Sequence, residues 1–170
     1  GTVGSGTINL LQRNSELINP RSNCEIVVSQ VGARRDNPNC DTSALNVSLD
    51  IFEVAKNPDI DIVVELIGGT TVARDLVMTA LENGKHVVTA NKALIAEHGM
   101  EIFAYAESRN LIVAYEAAVA GGIPIIKGLR EGLSGNQVNW MAGIINGTTN
   151  FILSEMDSKG REFSDVLVEA

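Results

Sequence analysis

Asp61-Ile62-Val63-Val64-Glu65-Leu66-Ile67-Gly68-Gly69 is a β-branched apolar run closed by a glycine pair. Val72, Leu76, Val77 and Ala80 then recur at helical spacing, and His86-Val87-Val88-Thr89 forms a second apolar run. Run, helix and run with short connections make a β-α-β unit, and runs this continuously apolar suit strands covered on both faces of a parallel sheet. The spacing predicts a helix over Thr71–Glu82. Asn83-Gly84 supplies its stop, since both residue types tolerate the left-handed cap conformation.

The same rhythm extends in both directions. Downstream, the pattern predicts a helix over 98–108 and a strand over 111–115. Upstream it predicts a helix over 2–18, which begins among glycines, and a strand over 24–31 that runs into the loop Gly32-Ala33-Arg34-Arg35-Asp36. Asn37-Pro38-Asn39-Cys40-Asp41 has turn chemistry, and a short helix over 49–55 precedes Pro58. Alternation of this kind predicts the α/β class, a Rossmann-type doubly wound parallel sheet. After Ala120-Gly121-Gly122-Ile123-Pro124 the rhythm changes. A helix-like stretch to 133, the β-branched run Val138-Asn139-Trp140-Met141-Ala142-Gly143-Ile144-Ile145 and helices over 148–158 and 163–170 read as the start of a second, α+β domain. Residues 1–124 are thus expected to form one domain and 125–170 the beginning of the next.

Bulk properties narrow the function. Of 170 residues, 21 are acidic and 13 basic, a balance that argues against a nucleic-acid backbone or an anionic membrane surface as partner. No apolar run approaches the roughly 20 residues that span a bilayer. Cys24 and Cys40 are too few for a disulfide framework and lack metal-ligand spacing, so both are read as reduced thiols of a cytoplasmic protein. The chain does not open on Met, and no export signal is visible. Gly1-Thr2-Val3-Gly4-Ser5-Gly6 reads as the tail of a nucleotide-binding turn whose strand lies outside the sequence, so the chain is expected to be a piece of a longer one.

Three features place chemistry at strand ends. Gly1-Thr2-Val3-Gly4 supplies the last two glycines of a G-x-G-x-x-G pattern, in which a tight turn brings a pyrophosphate to free N–H groups at a helix start. Asn91-Lys92 follows directly on the run 86–89, where an open α/β sheet meets its ligand crevice. At the end of the run 24–31, Arg34 stands where an acidic residue would hold a ribose 2′-hydroxyl. A guanidinium there suits a 2′-phosphate and favours NADP over NAD, with a solvated pair of surface arginines as the alternative.

Val87-Val88-Thr89-Ala90-Asn91-Lys92-Ala93-Leu94 and Ala142-Gly143-Ile144-Ile145-Asn146-Gly147-Thr148-Thr149-Asn150-Phe151-Ile152-Leu153, with the glycine turn, Glu65-Leu66-Ile67-Gly68-Gly69 and Tyr115-Glu116-Ala117-Ala118-Val119-Ala120-Gly121-Gly122-Ile123-Pro124, resemble homoserine dehydrogenase. The resemblance implies an oxidoreductase that interconverts L-homoserine and L-aspartate 4-semialdehyde with NADP or NAD, in threonine and methionine biosynthesis. It implies that Lys92 is catalytic and lies beside the nicotinamide. Gly1, Thr2, Val3, Gly4, Arg34, Gly68, Gly69 and Thr70 would complete the cofactor site. A sodium ion is implied at Glu116, Val119, Gly121 and Ile123, chiefly through main-chain oxygens, which are hard ligands. Asn146, Gly147, Thr148 and Thr149 are expected near the amino-acid substrate, at the floor of the cleft between the domains. Thr148 or Thr149 is also placed to cap the following helix. The family implies a homodimer and further substrate-binding residues beyond Ala170, so this stretch alone is expected to be inactive. Another semialdehyde or amino-acid dehydrogenase, or a non-catalytic dinucleotide sensor, are the competing readings.

Overall fold

The computed structural model of the chain describes residues 1–34 and 40–170. Part of the expected loop and turn, residues 35–39, lies outside them. Two compact units are present, Gly1–Val119 and Ala120–Ala170.

In the first unit every strand pair is parallel. Strand β1 (Gln30–Gly32) pairs with β2 (Asn46–Ser48), and a three-stranded sheet runs in the order β3 (Ile62–Glu65), β4 (His86–Thr89), β5 (Val113–Ala114). Helices α1 (Thr2–Arg13) and α2 (Ser15–Ser22) precede β1, and α3 (Ile51–Lys56), α4 (Thr71–Glu82) and α5 (Lys92–Ser108) alternate with the later strands. This is the α/β architecture with parallel sheets that the sequence predicts, of Rossmann type. Its core gathers Val63, Val87 and Val113 from the strands with Leu76, Val77 and Leu81 of α4 and Leu94 and Ile102 of α5. One stripe of each helix therefore closes on the sheet, which is what stabilises such a layered fold.

Among the described residues, two charged side chains are buried in this unit. Lys85 enters β4 at its N-terminal end, and its ammonium donates to the Ile60 carbonyl at 2.8 Å. Glu65 closes β3 at the opposite, C-terminal edge and has no exposed surface.

The second unit opens with α6 (Ile125–Lys127), continued by a π-helical turn over Gly128–Gly132, and ends in a hairpin of α7 (Gly147–Lys159) and α8 (Phe163–Glu169). Ile152 and Val166 are its buried apolar residues. Arg161 bridges the hairpin, bonding Glu155 at 3.0 Å and Glu169 at 2.7 Å.

Several expected elements differ, each for a visible reason. The helix over 2–18 is two helices, broken at Asn14, and the second ends at Ser22 with Pro20 inside it. The strand over 24–31 shrinks to Gln30–Gly32, because the Ile26 N–H is taken by the Asn19 side chain at 3.2 Å rather than by a neighbouring strand. The strand over 111–115 shrinks to Val113–Ala114: the Leu111 N–H returns to Ala106 at 2.8 Å, and the Ile112 N–H goes to His86 Nδ1 at 3.0 Å. Helix α5 begins at Lys92, six positions before the expected His98. The β-branched run 138–145 forms neither strand nor helix, and Ile144 and Ile145 are more than four-fifths exposed.

Candidate functional site

Because β3 and β4 are parallel and in register, with Glu65 opposite Thr89, the segments leaving them emerge side by side at the C-terminal edge of the sheet. This edge is where open α/β sheets bind ligands. From β3 the chain enters Gly68 and Gly69, with φ of +78° and +73°; a side chain there would be strained, and nothing lies within 4 Å of where its Cβ would be. From β4 it enters Asn91 and Lys92, the cap and first residue of α5.

A closed set of hydrogen bonds joins the two exits. One carboxylate oxygen of Glu65 accepts from the N–H groups of Ile67 at 2.8 Å and Gly68 at 3.1 Å. The other accepts from the Thr89 hydroxyl at 2.6 Å. Thr89 Oγ1 in turn accepts the Asn91 N–H at 3.0 Å. The Asn91 amide donates to the Gly69 carbonyl at 2.7 Å, while its oxygen caps α5 by accepting the Leu94 N–H at 3.1 Å. Glu65, Thr89 and Asn91 are all buried, whereas Lys92 beside them is exposed. The unsatisfied N–H groups of a helix's first turn carry partial positive charge. An ammonium at that turn, one residue from an amide bonded to Gly69, makes this edge receptive to an anion or to a carbonyl oxygen gaining charge.

The other expected site residues fall as follows. Gly1 caps α1 with no side-chain hydrogen bond, and Gly4 lies in its first turn; neither would meet another atom if it bore a Cβ. A backbone this open fits the close approach of a pyrophosphate, and Gly68 and Gly69 fit it equally well. Thr2 and Val3 are exposed in the same turn, and Arg34 is exposed just after β1. Thr70 precedes α4 and borders a cleft of about 440 Å³ with Thr71, Arg74 and His98. Arg74 and Glu101 close one side of that cleft through paired hydrogen bonds, which hold the Glu101 carboxyl below its ordinary range.

Glu116 opens a 3₁₀ turn that ends with the Val119 N–H on the Glu116 carbonyl at 3.2 Å. In the second unit Gly121 has φ of +61°, and the Ile123 carbonyl accepts the Ile125 N–H at 2.8 Å. Among the described residues no cluster of three or more His, Cys, Asp or Glu side chains is placed to hold a metal ion. At the start of α7 the cap is Asn146, whose side chain accepts the Thr149 N–H at 2.8 Å; neither Thr148 nor Thr149 plays that part. Asparagine suits this role because its short side chain reaches the third N–H while its own backbone stays extended. Gly147 and Thr148 border a shallow cleft of about 310 Å³ with Phe151.

The sequence motifs single out Lys92 and the glycines but give no role to Glu65, Thr89 and Asn91, whose hydrogen bonds join the segments that carry them. An acidic residue ending an apolar strand, opposite a threonine ending the next, is the signal that could have found them.

A parallel sheet whose C-terminal edge carries open glycines, a helix start and a lysine defines a dinucleotide-binding α/β protein. Residues 1–116 match the family model described as homoserine dehydrogenase, NAD binding domain, and residues 124–170 match the model of homoserine dehydrogenase itself. The chain belongs to the homoserine dehydrogenase family. It is 66% identical to a homoserine dehydrogenase of Pseudomonas aeruginosa and 53% to one of Neisseria gonorrhoeae, each over its whole length and over 39% of the relative. The structure superposes on a homoserine dehydrogenase from Thiobacillus denitrificans with a TM-score of 0.90 at 56% identity, covering all of this chain and 40% of that one. It also matches a hyperthermophilic archaeal homoserine dehydrogenase in complex with NADPH, with a TM-score of 0.78 at 26% identity, covering all of this chain and 57% of that one. The chain thus spans about two-fifths of the curated relatives it matches.

Proposed function

We propose that the chain carries the dinucleotide site, the catalytic lysine and the start of the substrate-binding domain of an NAD(P)-dependent homoserine dehydrogenase. The full-length enzyme interconverts L-homoserine and L-aspartate 4-semialdehyde in threonine and methionine biosynthesis. The observation that carries this reading is the Asn91–Gly69 hydrogen bond, which ties the start of the lysine-bearing helix to the glycine loop.

Gly1, Thr2, Val3 and Gly4 would hold the pyrophosphate through the first-turn N–H groups of α1, and Gly68, Gly69 and Thr70 would help to position the cofactor. The bound dinucleotide supplies or accepts the hydride at the carbon of the aldehyde or alcohol. As charge grows on the substrate oxygen, the Lys92 ammonium and the N–H groups of the first turn of α5 stabilise it, and the ammonium donates the proton. In the reverse direction the same amine takes the hydroxyl proton. Asn146, Gly147, Thr148 and Thr149 contact the substrate; with Asn146 Oδ1 committed to its cap, its amide N–H groups are the part that faces a ligand. In this reading the cofactor domain runs over 1–124 and the start of the substrate-binding domain over 125–170.

Arg34, exposed at the end of β1, reads a 2′-phosphate, so NADP is preferred to NAD. A sodium ion on the carbonyls around the bend 116–123, a homodimer and a cytoplasmic location complete the reading, and the stretch 1–170 by itself is inactive.

The test is homoserine-dependent reduction of NADP⁺ and NAD⁺ by the full-length protein. Lys92→Ala is expected to lower kcat by about 10²–10⁴-fold, the usual worth of a positioned proton donor. Dinucleotide binding without turnover of homoserine would hand the site to the sensor reading, and turnover of a different alcohol alone would reassign the substrate.

A further inference from the structure

We propose that Glu65 is the positioning residue that couples the dinucleotide loop to Lys92, so that one buried carboxylate sets both halves of the reaction site. The inference rests on the roles given above to Gly68, Gly69 and Lys92.

Placing a carboxylate with no exposed surface at the end of an apolar strand costs free energy unless its acceptors are filled. A sheet needs none there, since Val63 and Val87, the inward residues of the same strands, are purely apolar. Every group that Glu65 engages, directly or through Thr89, belongs to a segment assigned to cofactor or catalysis. Ile67 and Gly68 shape the glycine loop; Thr89 holds the backbone of Asn91; and Asn91 closes the ring on Gly69 while capping the helix that Lys92 begins. The carboxylate is committed to three donors within the protein and acts on a ligand only through its neighbours.

The ring has a fixed direction. Thr89 has a single hydroxyl proton, and giving it to Glu65 frees a lone pair for the Asn91 N–H. Glu65→Gln keeps the volume but inserts an NH₂ group. If that group faces Thr89, the hydroxyl proton loses its acceptor; if it is turned, it meets the N–H groups of Ile67 and Gly68. The first orientation strands the buried Thr89 hydroxyl, and the second leaves two backbone N–H groups without their acceptor. Thr89→Val is likewise isosteric and removes the link outright, whereas Thr89→Ser retains it.

The experiment uses the full-length protein, titrated with NADPH by fluorescence and assayed with homoserine. Glu65→Gln is expected to weaken NADPH binding at least tenfold and to lower kcat. Combining Glu65→Gln with Thr89→Val should cost little more than the worse single change, since both break one ring. Thr89→Ser should recover most of what Thr89→Val loses. Lys85→Met provides the control: it alters another buried charge, at the opposite edge, and should shift the melting temperature with NADPH affinity within twofold of wild type.

NADPH affinity and kcat of Glu65→Gln within twofold of wild type would overturn the proposal, as would an equal loss in Lys85→Met. Should Glu65→Gln fail to fold, Thr89→Val against Thr89→Ser decides, and equal NADPH affinity in those two overturns it. If the wild type binds NADPH without oxidising homoserine, the activity reading fails, while a binding loss in Glu65→Gln still supports the coupling.

Discussion

Residues of similar apolar character behave in opposite ways in the two units. In the first, Leu81, Leu94 and Ile102 are wholly buried between helices and sheet; in the second, Trp140, Ile144, Ile145 and Val168 are each more than three-quarters exposed. The difference lies in what each side chain meets. Helices packed against a parallel sheet enclose Val63 and Val87, although Ile62 and Val64, which alternate with Val63 in β3, stay exposed, whereas the two-helix hairpin encloses little beyond Ile152 and Val166. Within residues 1–170, then, the layered α/β unit is the part that closes a core.

The sharpest way to break this comparison is the same truncation in each unit. Ile102→Ala removes a fully buried side chain and should destabilise the first unit by about 2–5 kcal/mol, transfer and cavity terms together. Ile145→Ala, at a position 88% exposed, should change stability by no more than about 0.5 kcal/mol. Amide exchange read separately in α4 and α7 checks both, and equal losses would show that the hairpin shares the core of the α/β unit.

A smaller effect separates two helix caps of identical chemistry. Asn91 and Asn146 each accept the N–H three residues ahead, at 3.1 Å and 2.8 Å, but Asn91 is buried and also bonds Gly69, whereas Asn146 is exposed. Asn146→Ala should cost about 1 kcal/mol, the usual worth of a cap. Asn91→Ala should cost about 2–4 kcal/mol, because beyond the cap it also leaves the Gly69 carbonyl without its partner. Thermal denaturation of the two variants checks this, and equal shifts would mean that the ring at the sheet edge adds nothing to its cap.

These same residues show how far the sequence could be read. Helix α4 and strand β4 fall on the expected residues because local signals coincide there: apolar spacing, a glycine stop with Gly84 at φ +75°, and a short β-branched run. The sequence places the helix start at His98 rather than Lys92, although an asparagine just ahead of Ala93, Leu94 and Ile95 is itself a cap signal. Strand lengths were overestimated wherever pairing depended on a distant partner, as at Ile26 and Ile112, whose N–H groups bond side chains instead. Candidate ligand contacts were legible as motifs. The ring that orients them was not, because it joins positions 24 and 22 residues apart and exists only once β3 and β4 are in register.

The finest distinction between the units is electrostatic. Glu101 is held below its ordinary range by hydrogen bonds from Arg74, and Glu155 by those from Lys159 and then Arg161. A carboxyl with a depressed folded-state pKa adds stability above the ordinary glutamate range and loses it as pH falls through its lowered value. Both pairs therefore weaken in acid, but the consequences differ. Helices α4 and α5 remain packed on the core when Glu101 is protonated. The α7–α8 hairpin loses the ion pairs that supplement Ile152 and Val166. On acidification, amides of α7 should lose exchange protection before those of α4, and Glu155→Gln should flatten that pH dependence while lowering protection at neutral pH. High salt should reproduce part of the loss, since exposed partners such as Lys159 are screened. Simultaneous loss in α4 and α7 would show that one core, rather than local ion pairs, governs the hairpin.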